Sequence, residues 1–448
     1  MAAAKAGGCD GIESLPDEVM QHVLSFLPVA DAVRICVLAR RWRGLWKSIP
    51  VLRVTSEGSV TWLNKFVNNL LLLRDHSVPL NACEIQVSTF KEKYEKPHIS
   101  IWIRHALLCQ ARILSVRLGR PYYFLELEYL PLNSCHLESL ELCNIQLNDR
   151  ILNFSSCPAL QELWMKDCSI MGDTIMSQSL TRLTILNCSF CHDERARISV
   201  PSLVALELSE CWGMTPLLES MPSLVTGSIK LAECEDYCVE EDGGSCGSCG
   251  NCGANDDGGG DCVTLKGLSE AKSLELIAKP WVYIFKRDLT WCPTFSNLET
   301  LLLNEWCMKD NLGALLCLLQ HTPVLEKLTI QLCQAPSWPM ATEGSNIPTG
   351  QPFASLTLKV LELKCEKMDE RVQKILRTLR AYGVHIEQID IQQSNGSSEV
   401  TTNFPREPGS GPSQAWNWRF LPSQNAQLRS MVEDVLSVVK NWIDGRDT

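Results

Sequence analysis

Leu160-Gln161-Glu162-Leu163-Trp164-Met165-Lys166-Asp167-Cys168 follows the pattern L-x-x-L-x-L-x-x-C, with Met165 in the third apolar place. The pattern returns as Leu180, Leu183, Ile185, Cys188, and again as Leu203, Leu206, Leu208, Cys211. Looser copies begin at Leu137, Leu298, Leu325 and Leu358, and fainter ones near Ile113, Leu224 and Leu274. From Ile113 to Leu224 the starts are 20 to 24 residues apart, a period that marks stacked structural repeats. Within each copy the L-x-L core puts two side chains on one face of a short strand, because side chains alternate with a period of two. Stacking the copies buries those faces as one continuous core. Each copy closes on a cysteine at the strand end, and a packing role is expected for Cys168, Cys188, Cys211 and Cys333. The expected fold is an α/β solenoid, irregular in period, with parallel strands on its concave face.

The residues between the buried ones then point outward on that face. Glu162, Trp164, Lys166, Arg182, Glu207, Leu302 and Lys327 are the candidates for binding a target, joined by Thr184, Thr300, Thr329 and Gln331. Trp164 stands out because tryptophan is a favoured interface anchor.

Composition limits the alternatives. The 448 residues are 45% hydrophobic, with a net charge of -11. That balance argues against nucleic acid and anionic membrane as partners, since both attract basic surfaces. No apolar run is long enough to span a bilayer, and the N-terminal stretch has no signal-peptide core. A soluble chain in the cytoplasm or nucleus is expected. With no secretory signal, the 22 cysteines do not suggest a disulfide framework.

The step from Leu224 to Leu274 is twice the ordinary period, so residues 235–262 read as an insertion in one repeat. The stretch 233–262 holds nine acidic residues, six cysteines and no lysine or arginine. Cys246, Cys249 and Cys252 have metal-ligand spacing, but glycine and acid surround them, leaving little to pack. No metal is assigned there; the three cysteines remain a weak candidate, and a solvated disordered loop is the expectation. Neither a phosphate-binding glycine loop nor a His-Glu-x-x-His or nucleophile elbow occurs. Cys191-His192-Asp193-Glu194 is suggestive only in composition.

Before the repeats, residues 11–50 read as a helical module after a short tail, residues 1–10. Met20, Val23, Leu24 and Leu27 recur at i, i+3, i+4, i+7, making one apolar helix face. Pro16 suits the first turn, Asp17 and Glu18 suit the helix dipole, and Pro28 ends the helix. A second helix is expected over Ala30–Leu38. A third, over Arg40–Trp46, would bring Trp42 and Trp46 to one face. Residues 51–110 form a mixed helix and strand connection into the array, 111–365. At the far end, Leu358–Cys365, Met368–Leu379 and Val384–Ile391 read as strand, helix and strand, a cap over 358–392. A linker, 393–423, leads to a final amphipathic helix, 424–444, with Leu428, Met431, Val435, Leu436, Val439 and Trp442 on one stripe.

Leu15, Pro16, Val19, Leu24, Leu27, Arg34, Leu38, Arg41, Trp42 and Trp46 fall where the F-box pattern has them, and the module resembles an F-box. Cys36 and Ala39 stand where that pattern commonly has serine. The repeats resemble leucine-rich repeats, and the strand–helix–strand end is similar to the FBD region of many plant F-box/leucine-rich-repeat proteins. The resemblance implies a three-helix F-box that binds a Skp-type adaptor through Leu15, Pro16, Val19, Leu24, Leu27, Pro28, Val33, Leu38 and Trp42. The adaptor would bridge to a cullin, making this chain the substrate-recognition subunit of an SCF-type ubiquitin ligase. It would have no catalytic residues and no cofactor, and its protein target is not named by the sequence. Two other readings fit the same parts: a scaffold that uses the F-box outside any ligase, and a small-molecule-sensing receptor.

Overall fold

The computed structural model describes residues 16–38, 40–56, 59–88, 96–119, 125–127, 132–190, 195–231, 262–279, 284–332, 357–366 and 368–393. The expectations for the tail 1–10, for the insertion up to residue 261, for the final helix, for Cys191–Glu194 and for Cys333 fall outside these residues.

The chain opens with helix α1, Asp17–Leu24, whose first turn carries Asp17 and Glu18 behind Pro16. Pro28 then leads into α2, Val29–Leu38. The third helix expected over Arg40–Trp46 is instead two short 3-10 turns, Arg40–Trp42 and Leu45–Ser48. Gly44 lies between them, and glycine disfavours a continuous helix by about 1 kcal/mol relative to alanine.

Thirteen parallel strands follow, each beside its sequence neighbour, in a single sheet. They are β1 Val51–Thr55, β2 Ala82–Val87, β3 Ile113–Leu118, β4 Ser139–Cys143, β5 Glu162–Lys166, β6 Arg182–Leu186 and β7 Ala205–Ser209. Then come β8 Thr226–Leu231, β9 Ser273–Ala278, β10 Thr300–Asn304, β11 Lys327–Leu332, β12 Thr357–Cys365 and β13 His385–Gln393. An unbroken sequential parallel order is what a solenoid produces, since each repeat contacts only its neighbours. Residues 51–110 thus contribute their strands to the same sheet as the repeats. The C-terminal strand–helix–strand adds its two strands to the other end.

The second layer changes along the sheet, and repeat length explains the change. A helix advances about 1.5 Å per residue and a strand about 3.3 Å, so a helix needs over twice the residues for the same return path. The long steps, Val51 to Ala82 to Ile113, carry helices α3 Val60–Leu73 and α4 Ile99–Leu108. The short steps, Glu162 to Arg182 to Ala205, carry only short strands. These form a five-stranded and a three-stranded parallel side sheet. Helices return with the longer C-terminal steps as α5 Ile284–Asp288, α6 Lys309–Gln320 and α7 Glu370–Ala381.

After β4 to β7 the chain turns through left-handed backbone at Asn144, Asp167, Asn187 and Glu210, with φ of 59°, 52°, 50° and 56°. Behind three of these turns, Cys168, Cys188 and Cys211 are buried, as expected. Their thiols face backbone carbonyls, Cys168 Sγ lying 3.4 Å from the Leu142 oxygen. Asn187 Nδ2 donates to Asp167, and Trp212 Nε1 donates to Asn187 Oδ1 at 3.0 Å. Asparagine and aspartate tolerate this backbone region, whereas glutamate is less suited to it. Glu210→Asn should therefore raise stability by about 0.5–1 kcal/mol. Urea unfolding measures it; a loss of stability would contradict the strain argument.

The helical module and the array share one hydrophobic core running from Met20 to Val384. Two arginines seal the junction. Arg74, buried after α3, donates from Nη1 to the Ile49 carbonyl at 2.9 Å and from Nη2 to the Val78 carbonyl at 3.1 Å. Arg53 on β1 reaches back to the Ser25 carbonyl at 2.9 Å and pairs with Glu84 on β2. The module is fused to the first repeat rather than tethered to it.

Candidate functional site

Two surfaces follow from this architecture. The first is the exposed side of the helical module. The stripe Met20, Val23, Leu24 and Leu27 turns inward, with Leu24 1% and Leu27 5% exposed. Helix α1 packs on the Leu45–Ser48 turn, and α2 packs on β1 and both turns. Among the residues named from sequence for the adaptor, Pro16 is exposed, while Val19, Pro28, Val33 and Trp42 are half-buried. Trp42 also packs against the core. Leu24 and Leu27 support that face from beneath. Leu15 and the side chain of Leu38 lie outside the described residues. An exposed ion pair, Arg41 to Asp17 at 3.1 Å, borders α1.

The second surface is the open face of the sheet. In β4 to β7 and in β10 the second and fourth residues are buried and the third faces outward. Strand register aligns the third positions into one row: Arg53, Glu84, Ser115, Glu141, Trp164, Thr184, Glu207, Ser228, Glu275, Leu302, Thr329 and Glu362. Five of these twelve residues are glutamates, and most of the five have a built-in partner. Glu141 takes Arg117 at 2.7 Å and the Ser115 hydroxyl at 2.9 Å. Glu275 takes Lys230 at 3.3 Å and the Ser228 hydroxyl at 2.7 Å. Glu362 takes Lys327 at 2.9 Å and the Thr329 hydroxyl at 3.0 Å.

The predicted target-facing residues all lie on this face, in differing states. Lys327 is committed to Glu362, and Glu162 faces Arg182 at 3.6 Å. Trp164, Lys166, Glu207 and Leu302 are half-buried. Glu207 stands between Thr184 and Ser228, with no cation opposite it among the described residues. Sequence reasoning missed Arg53, Glu84, Glu141, Glu275 and Glu362, because their importance lies in cross-strand register. The alternation of Val51-Leu52-Arg53-Val54-Thr55 was the available signal for the first of them.

The paired acids respond to pH differently. Burial pushes the Glu84 carboxyl up despite Arg53, whereas the Lys327 bond holds the Glu362 carboxyl below its ordinary range. A carboxyl with a lowered folded pKa stabilises above its unfolded value, about 4.3, and loses that contribution as pH falls through the folded value. Glu362→Gln should therefore flatten the acid-side loss of stability below about pH 4; an unchanged acid limb in pH-dependent unfolding would refute this.

The weak metal candidates Cys246, Cys249 and Cys252 lie outside the described residues. Among the described residues, no helix is long and apolar enough to cross a membrane.

The architecture is a small helical module fused to a parallel-strand repeat array. Residues 12–53 match the F-box domain, close to the module read from sequence. An F-box/FBD/LRR-repeat protein of Arabidopsis thaliana is 27% identical over 255 residues, covering 49% of this chain and 60% of the relative. A second of that description, also from Arabidopsis thaliana, is 25% identical over 358 residues, covering 75% of this chain and 80% of the relative. A third, described as putative in its name and from the same plant, is 26% identical over 277 residues, covering 52% of this chain and 62% of its own length. The chain thus spans about 60% of the length of the first of these relatives. No solved structure matches it. The resemblance to plant F-box/FBD/LRR-repeat proteins read from the sequence is borne out.

Proposed function

We propose that this chain is the substrate-recognition subunit of an SCF-type ubiquitin ligase. The F-box docks on a Skp-type adaptor, and through it on a cullin. The open face of the sheet holds a protein target. The observation that carries this reading is the F-box match at residues 12–53 on a module fused directly to the array.

The adaptor would take the apolar side of the module, with Pro16, Val19, Pro28 and Val33 as its contacts, together with Leu15 and Leu38. Leu24, Leu27 and Trp42 would hold that side in shape. On the open face, Trp164 and Glu207 are the most available target contacts, because Glu162, Arg182 and Lys327 already serve each other or Glu362. The chain's own residues would do no chemistry. Rate would come from holding an acceptor lysine near the charged conjugating enzyme, which replaces a bimolecular encounter by an effectively intramolecular one. A fused junction suits that role, since a floppy tether would dilute the target. This reading puts the protein in the cytoplasm or nucleus. Co-precipitation of adaptor and cullin with the tagged chain tests it, and an adaptor complex lacking cullin would favour a scaffold instead.

A further inference from the structure

Cys292, Cys317 and His321 gather three metal-binding donors away from both surfaces described above. One ligand atom from each lies within 4.8 Å of the other two. Cys317 lies in the last turn of α6 and His321 caps its C-terminus four residues on, on the same side of the helix end. Cys292 follows the 3-10 turn Leu289–Trp291 that leads out of α5. Two segments of the chain therefore converge on one point.

The arrangement suits a tetrahedral ion. With Zn–S near 2.3 Å and Zn–N near 2.0 Å, tetrahedral donors stand roughly 3.5–3.8 Å apart. The Cys317 sulfur lies 4.0 Å from His321 Nδ1, which sets the imidazole ring beside the thiol. His321 Nδ1 also lies 2.8 Å from the Cys317 carbonyl oxygen. Donating to that carbonyl leaves Nε2 with the lone pair, the way a metal-bound histidine commonly fixes its tautomer. All three residues are half-buried, so an ion can reach them. Thiolate and imidazole donors together favour zinc over magnesium or calcium.

The neighbouring turn adds to the case. The Cys317 thiol faces the Leu289 carbonyl at 3.7 Å, and the Cys262 thiol faces the adjoining Asp288 carbonyl at 3.4 Å. The site thus sits where the chain re-enters the array at Cys262. A second trio, His76, His105 and Cys109, also brings its donors within 4.8 Å of one another. There the buried Arg74 guanidinium lies against Cys109, and its charge opposes a dication.

We propose that Cys292, Cys317 and His321 bind one zinc ion, with water in the fourth position. Binding forms two Zn–S bonds and one Zn–N bond, and releases the two thiol protons to solvent. The ion would tie the segment after α5 to α6 and brace the repeats that follow the insertion.

The test uses the full chain carrying Cys246→Ser, Cys249→Ser and Cys252→Ser, so that the insertion contributes none of those donors. Zinc content is measured after purification without chelator, and cobalt is titrated as a spectroscopic stand-in. The proposal expects one bound zinc and a tetrahedral cobalt spectrum with thiolate charge transfer. Cys292→Ser and His321→Gln should each lose both, and circular dichroism should report an intact fold for at least one of them. Absence of zinc, retention of zinc by both folded variants, or a Cys292–Cys317 disulfide in protein lysed under thiol-blocking conditions would overturn it. Adaptor co-precipitation by the same proteins is expected to be unchanged, which separates this outcome from that of the ligase reading.

Discussion

Asp288→Ala should lower the stability of the array by about 3–5 kcal/mol, because several buried donors lose their acceptor at about 1–3 kcal/mol each. Asp288 is 0% exposed at the end of α5. Its Oδ1 accepts the Val263 amide at 2.8 Å. Its Oδ2 accepts the Thr264 amide at 2.6 Å, the Thr264 hydroxyl at 2.6 Å and the Leu265 amide at 3.0 Å. Alanine would strand three backbone donors and a hydroxyl in the interior, where each unmade hydrogen bond costs about 1–3 kcal/mol. The site matters because residues 262–265 are where the described chain resumes after the acidic, cysteine-rich stretch. One carboxylate therefore determines where the chain re-enters the solenoid. Since each repeat is stabilised mainly by its neighbours, the damage should concentrate around β9 and β10. Urea unfolding gives the magnitude, and hydrogen exchange at the Val263, Thr264 and Leu265 amides gives the location. A loss below about 1 kcal/mol would show that water or local rearrangement replaces the carboxylate.

The second large effect concerns docking. Val19→Asp and Val33→Asp place a charge on half-buried positions of α1 and α2; Val33 also packs against the core, so its binding is compared at an unchanged unfolding midpoint. Burying an unpaired carboxylate at an apolar interface costs about 3–5 kcal/mol. Adaptor affinity should fall by roughly 100-fold or more, at 1.4 kcal/mol per tenfold. Leu24→Ala is the informative contrast. Leu24 is 1% exposed, so this change should cost about 2–5 kcal/mol of stability through the cavity it leaves. The surface variants should unfold like the unmodified chain yet fail to bind. Weakened binding that tracks stability across all three would remove the distinction between the docking face and its support.

What the sequence made legible was local. Leu163, Leu183 and Leu206 each begin an L-x-L pair, and alternation within five residues is enough to specify a strand and its buried face. The helices α1 and α2, and the final β12, α7 and β13, were likewise read from periodicity, proline and glycine. The first two strands of the sheet were harder, because Leu52/Val54 and Cys83/Ile85 alternate without the flanking leucine and closing cysteine. Gly44 interrupts the stretch expected as one helix, which forms two 3-10 turns instead. The apolar stripe of α1 is legible in the sequence, but its direction is not. A helical wheel identifies an apolar face without saying whether it meets the chain's own core or a partner, and Leu24 and Leu27 meet the core. Least legible were features assembled across distance. The pairs Arg117–Glu141, Lys230–Glu275 and Lys327–Glu362 need strand register. Asp288 reaches back to residues 263–265, and Cys292 meets Cys317 and His321 only once α6 has packed. Cys246, Cys249 and Cys252 stand out by spacing alone, whereas Cys292 reaches Cys317 and His321 from a separate segment of the chain.

The central claim is that the N-terminal helices connect this array to a ubiquitin ligase through an adaptor. Its most direct test is equilibrium binding of the purified full chain to a purified Skp-type adaptor, beside Val19→Asp and Val33→Asp proteins of unchanged unfolding midpoint. The account predicts a stable complex with the unmodified chain and a loss of roughly 100-fold in both variants. Binding undiminished in both folded variants, or no binding by the unmodified chain, would contradict it.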